Sequence, residues 1–144
     1  MTDKKLMISF GGLLATMVVA VYFVVQLSGQ AAAQTGDFTN AATAEVKDAQ
    51  GQVILRGQFQ KVDEEDDDIE RKAPLQAAGS DADAVGEAEV EYASSGAAEQ
   101  EIEFSIRNVE PNATYTFVID GRDVGTAKAD GRGRAALEWK VRTK

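Results

Sequence analysis

No charged residue stands between Lys5 and Asp37, and the stretch from Leu6 to Leu27, LMISFGGLLATMVVAVYFVVQL, is apolar almost throughout. A helix rises about 1.5 Å per residue, so about 20 apolar residues cross a hydrocarbon core of roughly 30 Å. Leu6 to Val25 supplies that length. Lys4 and Lys5 precede the run and the next positive charge is Lys47. The positive-inside rule then keeps residues 1–5 in the cytoplasm as a short tail and exports everything beyond Gln30. Residues 6–28 are expected to act as a transmembrane helix or as a signal peptide. Ala31-Ala32-Ala33 offers a small-residue cleavage site, which would release a secreted product cut after Ala33. Against cleavage, the apolar run exceeds the roughly 7–15 residues of a signal peptide core. Both fates remain open. The expected location is the cell (inner) membrane, single-pass, with the C-terminal domain periplasmic or extracellular.

The exported part has neither Cys nor His. Without Cys there is no disulfide, thiolate metal site or thiol nucleophile. Without His the commonest general base and the Ser-His triad are missing. Carboxylate pairs alone could still run a glycosidase, but a domain of this size has little room for the cleft they need. The sequence marks out no catalytic, cofactor-binding or metal-binding residue, and we expect a chain that is not an enzyme and carries no cofactor.

Charge is unevenly spread along a chain of net charge −9. From Val62 to Ile106 fifteen Asp and Glu face only Arg71 and Lys72, whereas from Asp120 to Lys144 seven Lys and Arg face four acids. The acidic majority argues against nucleic acid as a partner, because phosphates demand a basic patch.

Residues 29–41 are small and polar and read as a tether. A domain is expected over 42–144, interrupted by an acidic flexible loop at 62–84. That loop opens on Asp63-Glu64-Glu65-Asp66-Asp67-Asp68, a block of like charge that repels itself. Calcium-loop spacing fails here. The acidic block has no Gly at the sixth position, and starting at Asp81 puts Val85 and Tyr92 where oxygen ligands are required.

The remainder alternates with period two, which places one face on a core and the other in water. TAEVK and QVILRGQFQ flank an Asp48–Gly51 turn. Ala88, Val90 and Tyr92 alternate with Glu87, Glu89 and Glu91; Ile102, Phe104 and Ile106 alternate with Glu101, Glu103 and Arg107. Setting Tyr92 opposite Ile102 would make Glu91 face Glu103. Asp120-Gly121 suits a two-residue hairpin with positive φ at both residues, pairing Phe117 with Val124 and Tyr115 with Thr126. The last strand turns Ala135, Leu137, Trp139 and Val141 inward.

Val109-Glu110-Pro111-Asn112-Ala113-Thr114-Tyr115, following a strand that ends in Ile106, resembles the tyrosine corner of fibronectin type III and Ig-like sandwiches. In those domains the Tyr hydroxyl bonds back to the backbone before it. The resemblance covers Glu101 to Ile119 and implies architecture, not activity. The chain departs from fibronectin type III in having a further strand after Ala129, and from antibody domains in lacking their cysteines. The fold class expected is all-β: an Ig-like antiparallel β-sandwich of about seven strands on an N-terminal transmembrane or signal helix. The corresponding functional expectation is a membrane-anchored binding or structural module of the cell envelope. Residues 6–28 would hold the membrane, and sheet faces or loops would contact a protein or polysaccharide partner. The alternative is a subunit of a pilus-like or archaellum-like filament, although Lys4-Lys5-Leu6 is a poor processing site for one.

Overall fold

The structure, a computed structural model, describes residues 30–31, 36–65, 67–96 and 98–142. The expected cytoplasmic tail 1–5, membrane or signal segment 6–28 and cleavage site at Ala33 lie outside the described residues. Among the described residues no helix is long and apolar enough to cross a membrane.

The described chain is all-β. Its strands are β1 (Gln30–Ala31), β2 (Thr43–Lys47), β3 (Val53–Gln58), β4 (Gln60–Glu65), β5 (Asp68–Ala77), β6 (Val85–Ala93), β7 (Glu99–Arg107), β8 (Thr114–Ile119), β9 (Arg122–Lys128) and β10 (Arg134–Arg142). All pair antiparallel in one sheet of order β1-β9-β8-β2-β3-β5-β6-β7-β10, with β4 attached to β5. The sheet curls until β9 and β10 lie near each other without a ladder between them. It is almost a barrel, an arrangement compatible with a β-sandwich as well. Phe104 of β7 and Phe117 of β8 are distant in strand order, yet their rings meet at 4.9 Å across the interior. Around them Val46, Leu55, Leu75, Val90, Ile102 and Ile119 are all but sealed from water. Burial of that apolar surface is the main stabilising term of the fold.

The expected flexible loop at 62–84 requires correction. Gln60–Glu65 and Asp68–Ala77 form a strand pair, and of the described residues in that stretch only 67 and 78–84 lie outside strands. Ala73 and Leu75 enter the core while Pro74 and Gln76 face out, so period two persists behind the acidic block. β5 pairs β3 through Gln76 and β4 through Lys72. Pro74 sits in the gap between those two ladders, where its missing N–H costs no bond. Gly57 lies against the Pro74 carbonyl there, too close for a Cβ.

The end of the expected tether is also corrected. Phe38 and Ala41 are 1% and 2% exposed, so residues 36–41 plug one end of the barrel instead of hanging free. Two registers differ from expectation. Tyr92 pairs with Gln100 and Val90 with Ile102, two residues from the expected match. A shift of two leaves every side chain on its own face, so hydrophobic pattern could not choose between them. The Asp120-Gly121 hairpin forms with φ of 47° and 77°, but a bulge follows. Phe117 therefore pairs with Gly125 and Tyr115 with Ala127.

Candidate functional site: an acidic sheet wall

The outer faces of β5, β6, β7 and β10 form one continuous wall. Register puts Lys72, Glu89, Glu103 and Glu138 in one cross-strand row and Glu70, Glu91, Glu101 and Lys140 in the next. Glu87 flanks them. Asp68 and Glu99 extend the same face at one end, so nine carboxylates share it with two lysines and with Arg107, Arg134 and Arg142 at its margins. Glu89 stands directly opposite Glu103, and Glu91 opposite Glu101, pairings that are intrinsically unfavourable.

Two lysines hold the wall together. Lys72 Nζ lies 2.7 Å from Glu70 Oε1 and 3.5 Å from Glu89 Oε2. Lys140 Nζ lies 3.4 Å from Glu101 Oε2. The hydrogen bond to Glu70 raises the Lys72 pKa, with burial opposing it and the glutamates adding to it. Glu89 is pushed from 4.5 up to about 8, first by burial, then by its hydrogen bond with Glu70 and that group's charge. Burial likewise raises Glu91, reinforced by Asp68 and Glu101 and opposed by Lys140. Glu70 goes the other way: burial acts to raise it, but hydrogen bonds from Glu89 and Lys72 outweigh burial and hold it low. Burial and the hydrogen bond between them thus drive Glu70 and Glu89 in opposite directions, as crowded carboxylates are driven.

Carboxylate oxygens of Glu101, Glu103 and Glu138 lie within 4.8 Å of one another. Oxygen donors of this kind suit a hard divalent cation in principle. Lys140 already competes for Glu101, however, and two of the three groups are partly buried and one exposed. The arrangement can attract positive charge. It offers no nucleophile beside a base and no cleft around a carboxylate pair.

A second polar cluster fastens the plug. Gln100, fully buried, accepts from Phe38 N at 2.8 Å and donates to Asp37 Oδ1 at 3.2 Å. Tyr92 Oη and Arg71 Nη1 both donate to the Thr39 carbonyl at 3.0 Å. The Arg122 guanidinium stacks 4.5 Å above the Phe38 ring, which meets Trp139 edge-on at 6.0 Å. Arg71 Nε is buried without a partner among the described residues. At the opposite end Tyr115 Oη accepts from Glu110 N at 2.9 Å and lies 3.4 Å from Glu110 O, the hydrogen bond expected of the corner.

Alternation in the sequence marks the Glu stripes of β6 and β7 but not the wall they join. Glu70 and Lys72 were hidden in the stretch read as a loop, and the Ala73/Leu75 alternation was the signal that could have exposed them. No family model, curated protein or solved structure matches this chain.

Proposed function

We propose that this chain is a membrane-anchored extracytoplasmic binding module of the cell envelope, held by residues 6–28, whose contact surface is the acidic wall of β5, β6, β7 and β10. The observation that carries the reading is the pairing of Glu89 with Glu103 and of Glu91 with Glu101. Folding alone gains nothing from carboxyl groups crowded opposite each other, where burial and crowding hold Glu89 and Glu91 above their ordinary pKa, whereas a cationic partner relieves the crowding. The partner class is a protein segment presenting Lys and Arg. The finer fold reading, an Ig-like β-sandwich derivative, draws its support from the Tyr115–Glu110 hydrogen bond at the corner.

Affinity capture from solubilised membranes tests the surface. The parent chain should retain a partner that moderate salt elutes, and a Glu87→Gln/Glu101→Gln/Glu138→Gln variant should lose it. Equal retention by both chains overturns the wall as the contact surface. A reporter fused after Lys144 should be active only outside the cytoplasm; activity inside overturns the location.

The filament-subunit reading has one observation in its favour. The opposite wall carries Lys47, Arg56 and Lys128 against Glu45 and Asp123, a small positive excess to complement the acidic wall of a second copy. Sequencing of the mature N-terminus separates the two. A start near Leu6 favours the filament, a start at Gln34 a secreted module, and an intact Met1 or Thr2 the anchor.

A further inference from the structure

The direction of β1 carries information about how the domain stands on the membrane. Gln30 pairs with Thr126 and Ala31 with Gly125, so the chain runs up β9 from its Lys128 end towards its Arg122 end. It then continues to the plug, where Arg122 Nη2 donates to the Asp37 carbonyl at 3.3 Å. Only Ser28 and Gly29 separate Leu27, the last residue of the apolar run, from Gln30. Three peptide steps reach at most about 10 Å. Gln30 is thereby confined to within that distance of the bilayer surface.

The register chain fixes which loops share each end. Thr114 pairs with Lys128, Lys47 with Thr116, Val53 with Lys47, Ala77 with Leu55, Val85 with Gln76, and Arg107 with both Val85 and Arg134. The tyrosine corner and the 129–133 turn therefore lie at the Lys128 end. The plug and the β4–β5 and β6–β7 turns lie at the other. Asp68 is eight residues along β5 from Gln76, a rise of roughly 20 Å once strand tilt is allowed for. With that far end down, the β4–β5 turn would have to enter the bilayer for Gln30 to stay within reach of it. That turn carries six consecutive acids in the sequence, which an anionic headgroup layer repels. The tyrosine-corner end, by contrast, is close to charge balance, with Lys47, Arg107, Lys128, Arg132 and Arg134 against Asp48, Asp81, Asp83, Glu110 and Asp130.

We infer that the barrel stands on the bilayer with its tyrosine-corner end against the lipid headgroups, its acidic β4–β5 turn pointing away and its acidic wall upright and open from the side. The inference rests on residues 6–28 remaining as an anchor. It leaves the wall reachable by a partner in the same membrane or by a soluble one.

The chain has no cysteine, so single-cysteine variants label one position only. Gly131→Cys lies in the 129–133 turn, where an added Cβ meets nothing within 4 Å. Ser95→Cys lies in the exposed β6–β7 turn at the far end. The full-length variants, carrying one fluorophore, are reconstituted into phosphatidylethanolamine and phosphatidylglycerol vesicles that contain a headgroup-attached quencher. The Gly131→Cys label should be quenched several-fold more than the Ser95→Cys label. Equal or reversed quenching in a chain that survives an alkaline wash of the vesicles overturns the orientation and leaves the anchor standing. A chain that the wash removes, or whose mature N-terminus is Gln34, overturns the anchor and the orientation with it.

Discussion

Glu89 should make this protein less stable as the solution turns mildly alkaline. Its carboxyl titrates near 4.5 in an unfolded chain and at about 8 in the folded one, because burial and Glu70 both disfavour its charge. Between those two values the folded state binds the extra proton, so raising the pH strips a proton that folding prefers to keep and stability falls. At about 1.4 kcal/mol per pH unit the interval sets a ceiling of about 5 kcal/mol. The Glu89 side chain keeps 18% of its exposure and Lys72 stands 3.5 Å away, so solvent and the ammonium screen much of that. The expected loss from pH 5.5 to 8.5 is about 1–2 kcal/mol. Glu89→Gln keeps a hydrogen-bonding group beside Glu70 and removes the charge. It should match the parent near pH 5, exceed it by about 1–2 kcal/mol at pH 8.5, and flatten most of the slope. Glu91, shifted in the same direction, leaves a residual slope. Below about pH 4 both chains should weaken together, since Asp37 and Asp130 titrate lower in the folded chain than in the unfolded one. The assay is urea unfolding across pH on the full chain in detergent, read by the fluorescence of Trp139, the one tryptophan. A parent whose stability stays level or rises from pH 5.5 to 8.5 would refute the reasoning, as would a variant no more stable than the parent at pH 8.5.

Three further outcomes are open to the same assay. Phe38→Ala should cost about 3–5 kcal/mol, because a ring 1% exposed is withdrawn from Trp139 and Arg122; a loss under about 1 kcal/mol would mean the plug contributes little to the fold. Tyr115→Phe should cost about 1–2 kcal/mol by leaving Glu110 N without its partner, and an unchanged midpoint would show that water replaces the hydroxyl at no expense. Replacing 63–84 by a short Gly-Ser connection should unfold the chain, since the excision takes Ala73 and Leu75 from the core and the strand that joins β3 to β6; cooperative unfolding with near-parent stability would contradict the β5 pairing.

Much of the fold was legible where one face of a strand is apolar and the other charged. Ile102, Phe104 and Ile106 entered the core as their alternation with Glu101 and Glu103 required, and so did Ala135, Leu137 and Val141. Besides the bulge that shifted β9 against β8, pattern failed in three places, each for a separate reason. Behind Asp63 to Asp68 a run of charge obscured a strand whose inward positions are only Ala73 and Leu75. At 36–41 a single Phe among small polar residues gave no periodicity, yet one aromatic ring is enough to close a barrel end when Gln100 and Tyr92 supply its backbone with partners. Gln100 illustrates the general difficulty, because a polar residue at an inward position looks like an error until the segment it satisfies is in place. At β6 and β7 two registers were equally good for the apolar face, and the choice fell to contacts far away in sequence.

The same ambiguity is why the acidic wall was half visible. Alternation places Glu87, Glu89 and Glu91 on one face of β6, and Glu101 and Glu103 on one face of β7, whichever register holds. It does not determine which carboxylates meet. With Tyr92 opposite Ile102, Glu89 would have stood across from Ser105 instead of Glu103. The observed register makes two rows of opposed acids, and β5 then delivers Lys72 to one row while β10 delivers Lys140 to the other. Each lysine neutralises one end of its row and leaves the interior acids crowded, and there burial first, then Glu70 of the neighbouring row, raises the Glu89 pKa. A barrel selected only for stability would gain by exchanging Glu89 for a neutral residue, because it is half-buried, its carboxyl is pushed up by burial and Glu70, and it stands directly opposite Glu103. That the sequence carries both is the physical argument for treating the wall as a surface with a partner.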